Sequence, residues 1–452
     1  MDKIASAPGK VLNALSPTLS IKSNDSNSLE PDAPGEYRNL LMDMCGQKSD
    51  HILWINCLKG YDWYGEGRFS FNMDKFGVPV LKNGDYKLNL SIECVDRYVN
   101  AFEIEEHKIY WEGNYWSPTE DDCVIVSVET EAILINKASN VFKHLGILSG
   151  DSVLVILPFI IQLPIVLMAC IRVGAVFTLF NATIEDSEDL ANAIKLANPK
   201  LIITADGFWS GSHIVPLKKN IDEALEIASQ KYSINPKVII IRHAASDPTI
   251  PQNSQGIVVG KRPIIDLEVP FNPERDFHWA SLILGASDSC EVVLMNTEDR
   301  MVQHIRKRKD EWIIRNYTTS QMALLAAVFK HALGDEASGA IWPILDADNL
   351  ILVTSLLAIP MASSSLLLFE GKLDFPNPER LWNIITKYKV EKILLNIDST
   401  RLLMENEIDM ANVSARSLKV IFTVFTNQED TVMASEWIKS TFPMAKHIAI
   451  VY

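Results

Sequence analysis

From Ile109 onward the chain alternates short apolar runs with amphipathic stretches. Runs bounded by turn residues read as strands buried on both faces, the pattern of parallel sheets. Strands are predicted at Ile109–Glu112, Val124–Val128, Val153–Leu157, Ala175–Phe180, Leu201–Thr204, Val238–Ile241, Leu350–Val353, Leu366–Phe369, Lys392–Leu395, Val420–Val424 and His447–Val451. Between them the apolar step becomes three or four. Ile135, Ala138, Phe142 and Leu145 share one helical face, with Gly146 placed as the cap. Leu381, Ile384, Ile385 and Tyr388 form a second such face, and Met433, Trp437 and Phe442 a third. Strand, helix, strand in succession implies parallel sheets with right-handed crossovers, and two such stretches imply two packed α/β lobes.

The run Val153–Ile171, VLVILPFIIQLPIVLMACI, has the length of a bilayer span. Its prolines argue for a different structure. Pro158 ends a buried strand, Pro164 suits the first turn of a helix, and Gly174 stops that helix. Residues 1–35, rich in Ser, Asn, Asp and Pro, read as a disordered leader. Residues 36–100 read as an N-terminal helical region, 101–300 as a first α/β lobe and 301–452 as a second.

Composition narrows the function. The formal charge of −15, from 57 acidic against 42 basic residues, repels a nucleic-acid backbone. Cys45, Cys57, Cys94, Cys123, Cys170 and Cys290 are widely scattered, which suits reduced thiols and neither a disulfide framework nor a metal site. No secretory h-region precedes the fold. A cytoplasmic location is expected, with a mitochondrial one left open by the acid-free stretch between Lys3 and Asn24. No membrane partner is expected.

Several segments resemble one family. YWEGN (Tyr110–Asn114), HLGILSGDSVLVILPFIIQLPIVLMACIRVGAVF (His144–Phe177), LIITADG (Leu201–Gly207), VPLKKNIDEAL (Val215–Leu225) and LLLFEGKLDFPNPERLWNIITKYKV (Leu366–Val390) look like acetyl-CoA synthetase. NLSIECVDRYV (Asn89–Val99) is similar to a stretch ahead of that family's adenylation domain. The chain thus resembles the AMP-forming adenylating enzymes. The resemblance implies a large α/β scaffold of two packed lobes with mainly parallel sheets. It also implies acetyl-adenylate formation from acetate and ATP, then transfer to CoA. The family pattern continues beyond the position of Tyr452 into a small barrel and a C-terminal lid, which this sequence is expected to lack.

The same resemblance locates departures. The family's phosphate cradle looks like YTSGSTGKPKG. Threading between MNTED (Met295–Asp299) and YTT (Tyr317–Thr319) puts Ile305–Trp312 in its place, and that stretch contains no glycine. Arg306, Lys307, Arg308 and Lys309 supply charge but cannot replace converging backbone N–H groups, and the run reads as a solvated surface loop. The Gly-Glu-Pro beside adenine falls on Phe425, Thr426 and Asn427, and a GGF turn on Asn181, Ala182 and Thr183. Two arginines that hold the CoA 3′-phosphate fall on Ser210 and His213, neither a permanent cation. An ADVGWVTGH segment keeps only Asp346, with Trp342 ahead of it.

Other motifs fail on inspection. GASDS (Gly285–Ser289) lacks the closing glycine of a hydrolase elbow. DADN (Asp346–Asn349) has Ile351 and Leu357 where a calcium loop needs glycine and glutamate. His304 reads as a surface residue, and Asn181 and Asn412 as sequons without consequence. No catalytic, cofactor-binding or metal-ligating residue is therefore assigned. The expectation is a catalytically inactive acetyl-CoA synthetase-like protein that binds another protein, an active paralogue among the candidates. The alternative is a residual AMP-forming ligase for acetate or a short-chain acid, using ATP/AMP and CoA.

Overall fold

The computed structural model describes residues 36–45, 51–65, 70–75, 77–81, 86–99, 108–117, 122–249, 265, 267–308, 311–334, 339–406, 417–425 and 428–451. The expected leader, residues 1–35, lies outside them. The strands that build the two large sheets are β1 (Lys108–Glu112), β2 (Cys123–Ser127), β3 (Ser152–Ile156), β4 (Val176–Leu179), β5 (Leu201–Ala205), β6 (Lys237–Ile241), β7 (Asp276–His278), β8 (Arg300–Arg308), β9 (Glu311–Thr318), β10 (Ala340–Ile344), β11 (Ser365–Phe369), β12 (Val390–Leu395), β13 (Val420–Phe425) and β14 (Lys446–Val451).

Each sheet has seven strands. The first runs β7-β6-β5-β3-β4-β8-β9 and the second β14-β13-β12-β10-β11-β1-β2. In both, one edge pair is antiparallel, β8 with β9 and β1 with β2, while the remaining neighbours are parallel. The α/β scaffold of two packed, mainly parallel sheets is therefore the architecture of this chain. The sheets interleave along the sequence: Lys108–Ser127 joins the second sheet, and Arg300–Thr318 closes the first. A single cut at residue 300 does not follow this sheet membership.

Val153–Ile171 folds as strand β3, a turn, and the helix Gln162–Val173. Gly174 ends that helix at φ +74, where an added Cβ would lie 2.6 Å from the Met295 sulfur. Among the described residues no helix is long and apolar enough to cross a membrane. The helix Val128–His144 starts at Ser127, whose hydroxyl accepts from the Thr130 amide. Leu350–Val353, predicted as a strand, instead opens the helix Leu350–Met361. All twelve of its residues are buried, so no polar face reveals its period. The Asn349 side chain, accepting from the Ile351 amide at 2.9 Å, marks the true start.

That helix and Thr319–Leu333 lie in one apolar cluster that reaches from Val153, Leu154 and Phe177 of the first sheet to Ile341, Leu366 and Leu394 of the second. A second cluster, with Trp342, Leu367, Trp382 and Ile385, packs the opposite face of the second sheet.

Candidate functional site

In open α/β sheets ligands meet the chain at the carboxyl ends of the strands. Here those ends carry Phe180 after β4, Asp206 after β5, His243 after β6, Asp346 after β10, Glu370 after β11 and Phe425 closing β13.

Ile305–Trp312, the segment threaded onto the phosphate cradle, is not a loop. It is the tip of the β8–β9 hairpin, paired Ile305↔Ile314, Arg306↔Ile313, Lys307↔Trp312 and Arg308↔Glu311. Only residues 309 and 310, which lie outside the described residues, separate the strands. The expectation of a solvated surface loop is thus corrected, because the Val302, His304, Ile305 and Tyr317 side chains are buried and pull the hairpin onto the core.

Arg306 and Lys307 are both engaged. Lys307 Nζ lies 2.7 Å from both carboxylate oxygens of Asp189 and 5.9 Å from the Trp312 ring centre. Arg306 Nη2 is 3.1 Å from Glu36 Oε1, and Arg315 pairs with the same carboxylate. Trp312 stacks on Phe180 with centroids 6.1 Å apart and planes at 27°. His304, read from sequence as a surface residue, is 5% exposed, and its Nε2 is 2.6 Å from the Asp348 carbonyl oxygen. Burial pushes its pKa down to about 4, with Arg306 adding to the depression against the Asp348 hydrogen bond. At neutral pH the ring is uncharged and Nε2 donates.

The other threaded positions lie elsewhere. Phe425 is buried, while Thr426 and Asn427 lie outside the described residues. The Asn181 side chain accepts from Thr183 N at 3.0 Å and Thr183 Oγ1 at 2.9 Å, forming an Asx turn, and Ala182 is buried. Ser210 and His213 face each other across the small hairpin Phe208–Ser210/His213–Val215. Trp342 is core, edge-on to Phe369 at 6.0 Å. Asp346 and Asp348 both have pKa values raised by burial. An Asn396 hydrogen bond opposes the rise at Asp346. Asn412 lies outside the described residues.

Sequence reading missed two features. Asp206 accepts from four amides, Gly207 at 2.7 Å, His243 at 2.8 Å, Ala244 at 3.0 Å and Ala245 at 2.8 Å, which ties the ends of β5 and β6 together. His243 Nε2 then meets Glu370 Oε2 at 2.6 Å, with both side chains buried, linking the first sheet to the second. The partners are 127 residues apart, so no local pattern announces the pair. The YWEGN segment fastens a corner of the fold. Its Asn114 exchanges two hydrogen bonds with Gly211, at 2.8 and 3.0 Å, stapling the second sheet to the Phe208–Val215 hairpin. Arg380 holds the same corner through the carbonyls of Gly113 and Asn114.

This architecture agrees with the relatives. The AMP-binding enzyme family matches residues 132–274. Acetyl-coenzyme A synthetase of Drosophila melanogaster is 27% identical over 86% of this chain and 57% of its own length. The chloroplastic/glyoxysomal enzyme of Arabidopsis thaliana is 25% identical over 94% of this chain and 57% of its own. The crystal structure of Brucella canis acyl-CoA synthetase superposes with a TM-score of 0.60 at 16% identity, covering 81% of this chain and 57% of that one, a likeness of fold. Over these spans the chain is similar to AMP-binding enzymes, and among the relatives named to acetyl-coenzyme A synthetases. It spans about half the length of the curated relatives it matches.

Proposed function

We propose that this chain is a non-catalytic acetyl-CoA synthetase-like protein whose scaffold serves a protein-binding or regulatory role. One observation carries the reading: β8 and β9 stay paired up to Arg308 and Glu311 where the family places a phosphate cradle. A cradle needs successive amides converging on one point, as glycine-rich backbone allows. In an extended ladder successive amides point to opposite sides, so they cannot close on a triphosphate. The partner proposed is another protein, with an active relative of the same superfamily the first to try.

The competing reading is a residual acetate or short-chain acyl ligase that grips ATP through Arg306–Lys309. It must break the Arg306–Glu36 and Lys307–Asp189 pairs before those cations are available. Acetate-dependent ATP–pyrophosphate exchange on the pure chain separates the two. Exchange at the level of the protein-free control supports the non-catalytic reading. Exchange that follows the protein through purification and is lost in R306A/K307A establishes the ligase.

A further inference from the structure

Ligand clefts of open α/β sheets lie at the carboxyl ends of the strands. The amino ends of β3, β4 and β8 carry a different feature, a cleft of about 410 Å³ lined by Asp151, Val176, Leu196, Lys200, Arg300 and Gln303. This is the size of a small-ligand site.

Its donors outnumber its acceptors. Asp151, the carboxylate of the group, is already used: Oδ1 pairs with Lys200 Nζ at 2.6 Å and Oδ2 accepts from the Leu148 amide at 2.9 Å. The nearby Asp299 carboxylate is engaged through Oδ2, which accepts from the Asn296 backbone and side-chain amides. The carbonyl of Ala197, at the end of helix Ser187–Ala197, is capped by the Ser152 hydroxyl at 2.8 Å. Thr178 Oγ1 donates to Gln303 Oε1 at 3.2 Å, which leaves the Gln303 amide nitrogen for the cleft. Among the described residues the exposed Arg300 guanidinium has no ion pair or hydrogen bond. In a chain with fifteen more acids than bases, a cation without a partner is notable.

A second observation points the same way. The β8–β9 register slips between Arg300↔Thr318 and Val302↔Tyr317, so two steps on β8 match one on β9. This bulge lets Met301 and Val302 both turn into the core, at 3% and 2% exposure, and releases Arg300 outward at the cleft. Bulges are used in this way beside binding sites, to re-aim one side chain.

We infer that this cleft binds a small organic carboxylate, its anionic group held by Arg300 with Lys200 and the Gln303 amide, and its carbon chain lying on Val176 and Leu196. The excess of one cation favours an anion. Val176 and Leu196 give one wall an apolar patch on which the carbon chain of a short aliphatic acid can rest, which inorganic phosphate cannot use. This site is independent of the function proposed above and stands or falls apart from it.

The test uses the full chain, with succinate as the probe and phosphate as the comparison anion. Arginine labelling by phenylglyoxal is followed by peptide mass spectrometry, with Arg401, an exposed arginine paired to Asp430, as the internal control. Succinate is expected to slow Arg300 labelling saturably, with phosphate weaker and Arg401 unaffected. Calorimetry on R300Q is expected to show succinate binding weakened about tenfold or more, the scale of one lost charge-assisted contact, with R300K intermediate. L284S, at an exposed leucine outside the cleft, controls for general effects of mutation. No protection of Arg300, or equal protection of Arg401, overturns the proposal. So does succinate binding that R300Q leaves unchanged.

Discussion

The Trp312 indole lies against the Phe180 ring at 6.1 Å and 27°, so the tip of the β8–β9 hairpin is fastened to the carboxyl end of β4. That contact places an aromatic pair, with Lys307 over the indole, at the carboxyl end of β4. An aromatic pair of this kind contributes about 0.5–1.5 kcal/mol beyond the area it buries.

A double-mutant cycle of W312A and F180L measured by urea unfolding is expected to give a coupling of about 1 kcal/mol. W312A alone is expected to lower stability by about 2–3 kcal/mol, since the ring is half-buried. Strictly additive single effects would show that the stack does not hold the hairpin.

His304 gives a pH dependence with a defined sign. Its folded pKa, about 4, lies below the unfolded value of about 6.5, so between them the unfolded chain binds the extra proton and stability rises with pH. The contribution is complete above pH ~6.5 and lost as pH falls toward 4, up to about 3 kcal/mol. Asp346 and Asp348, whose pKa values are raised by burial, act in the opposite direction from their unfolded value upward, so the wild-type profile is a sum. The difference between wild type and H304Q isolates the histidine. A pH-independent difference between pH 4 and 7 would contradict the assignment.

The His243–Glu370 pair joins the two sheets through buried atoms, so removing one partner takes a buried hydrogen bond from the other. E370L is expected to cost about 1–3 kcal/mol. Combining it with H243L is expected to cost less than the sum of the single changes. Limited proteolysis should show the sheets separating more readily in E370L, and unchanged proteolysis would refute the role of the pair.

Gly371 sits at φ +133, and a Cβ there would come within 2.3 Å of Asn114 Oδ1. G371A is therefore expected to break the Asn114–Gly211 staple and lower the melting temperature. In an N114A background the same change should cost less, because the obstructing amide is gone. Equal costs in both backgrounds would show strain without the staple.

Much of the fold is visible in the sequence because buried parallel strands are short apolar runs with turns between them, as in Val153–Leu157 or Leu366–Phe369. The same rule misreads Leu350–Val353, since a helix buried all round presents the same apolar run. The β8–β9 hairpin is hidden for the opposite reason: QHIRKRKDE looks like solvated loop, and only distant partners reveal its pairing. His304 finds Asp348 44 residues away, and Lys307 finds Asp189 118 residues away. The departures from the superfamily's ligand-contacting segments can be read directly, because they are changes of residue type at threaded positions. The paired hairpin that replaces the cradle segment, and the His243–Glu370 pair between the sheets, depend on contacts that no local pattern encodes.

Titration of the intact chain with Mg·ATP in a calorimeter tests the central claim most directly. With residues 306–308 and 311–312 held in extended strand, no saturable heat is expected at about millimolar nucleotide, where a Kd near 1 mM corresponds to roughly −4 kcal/mol. A one-to-one isotherm in that range, abolished by R306A/K307A, would contradict it.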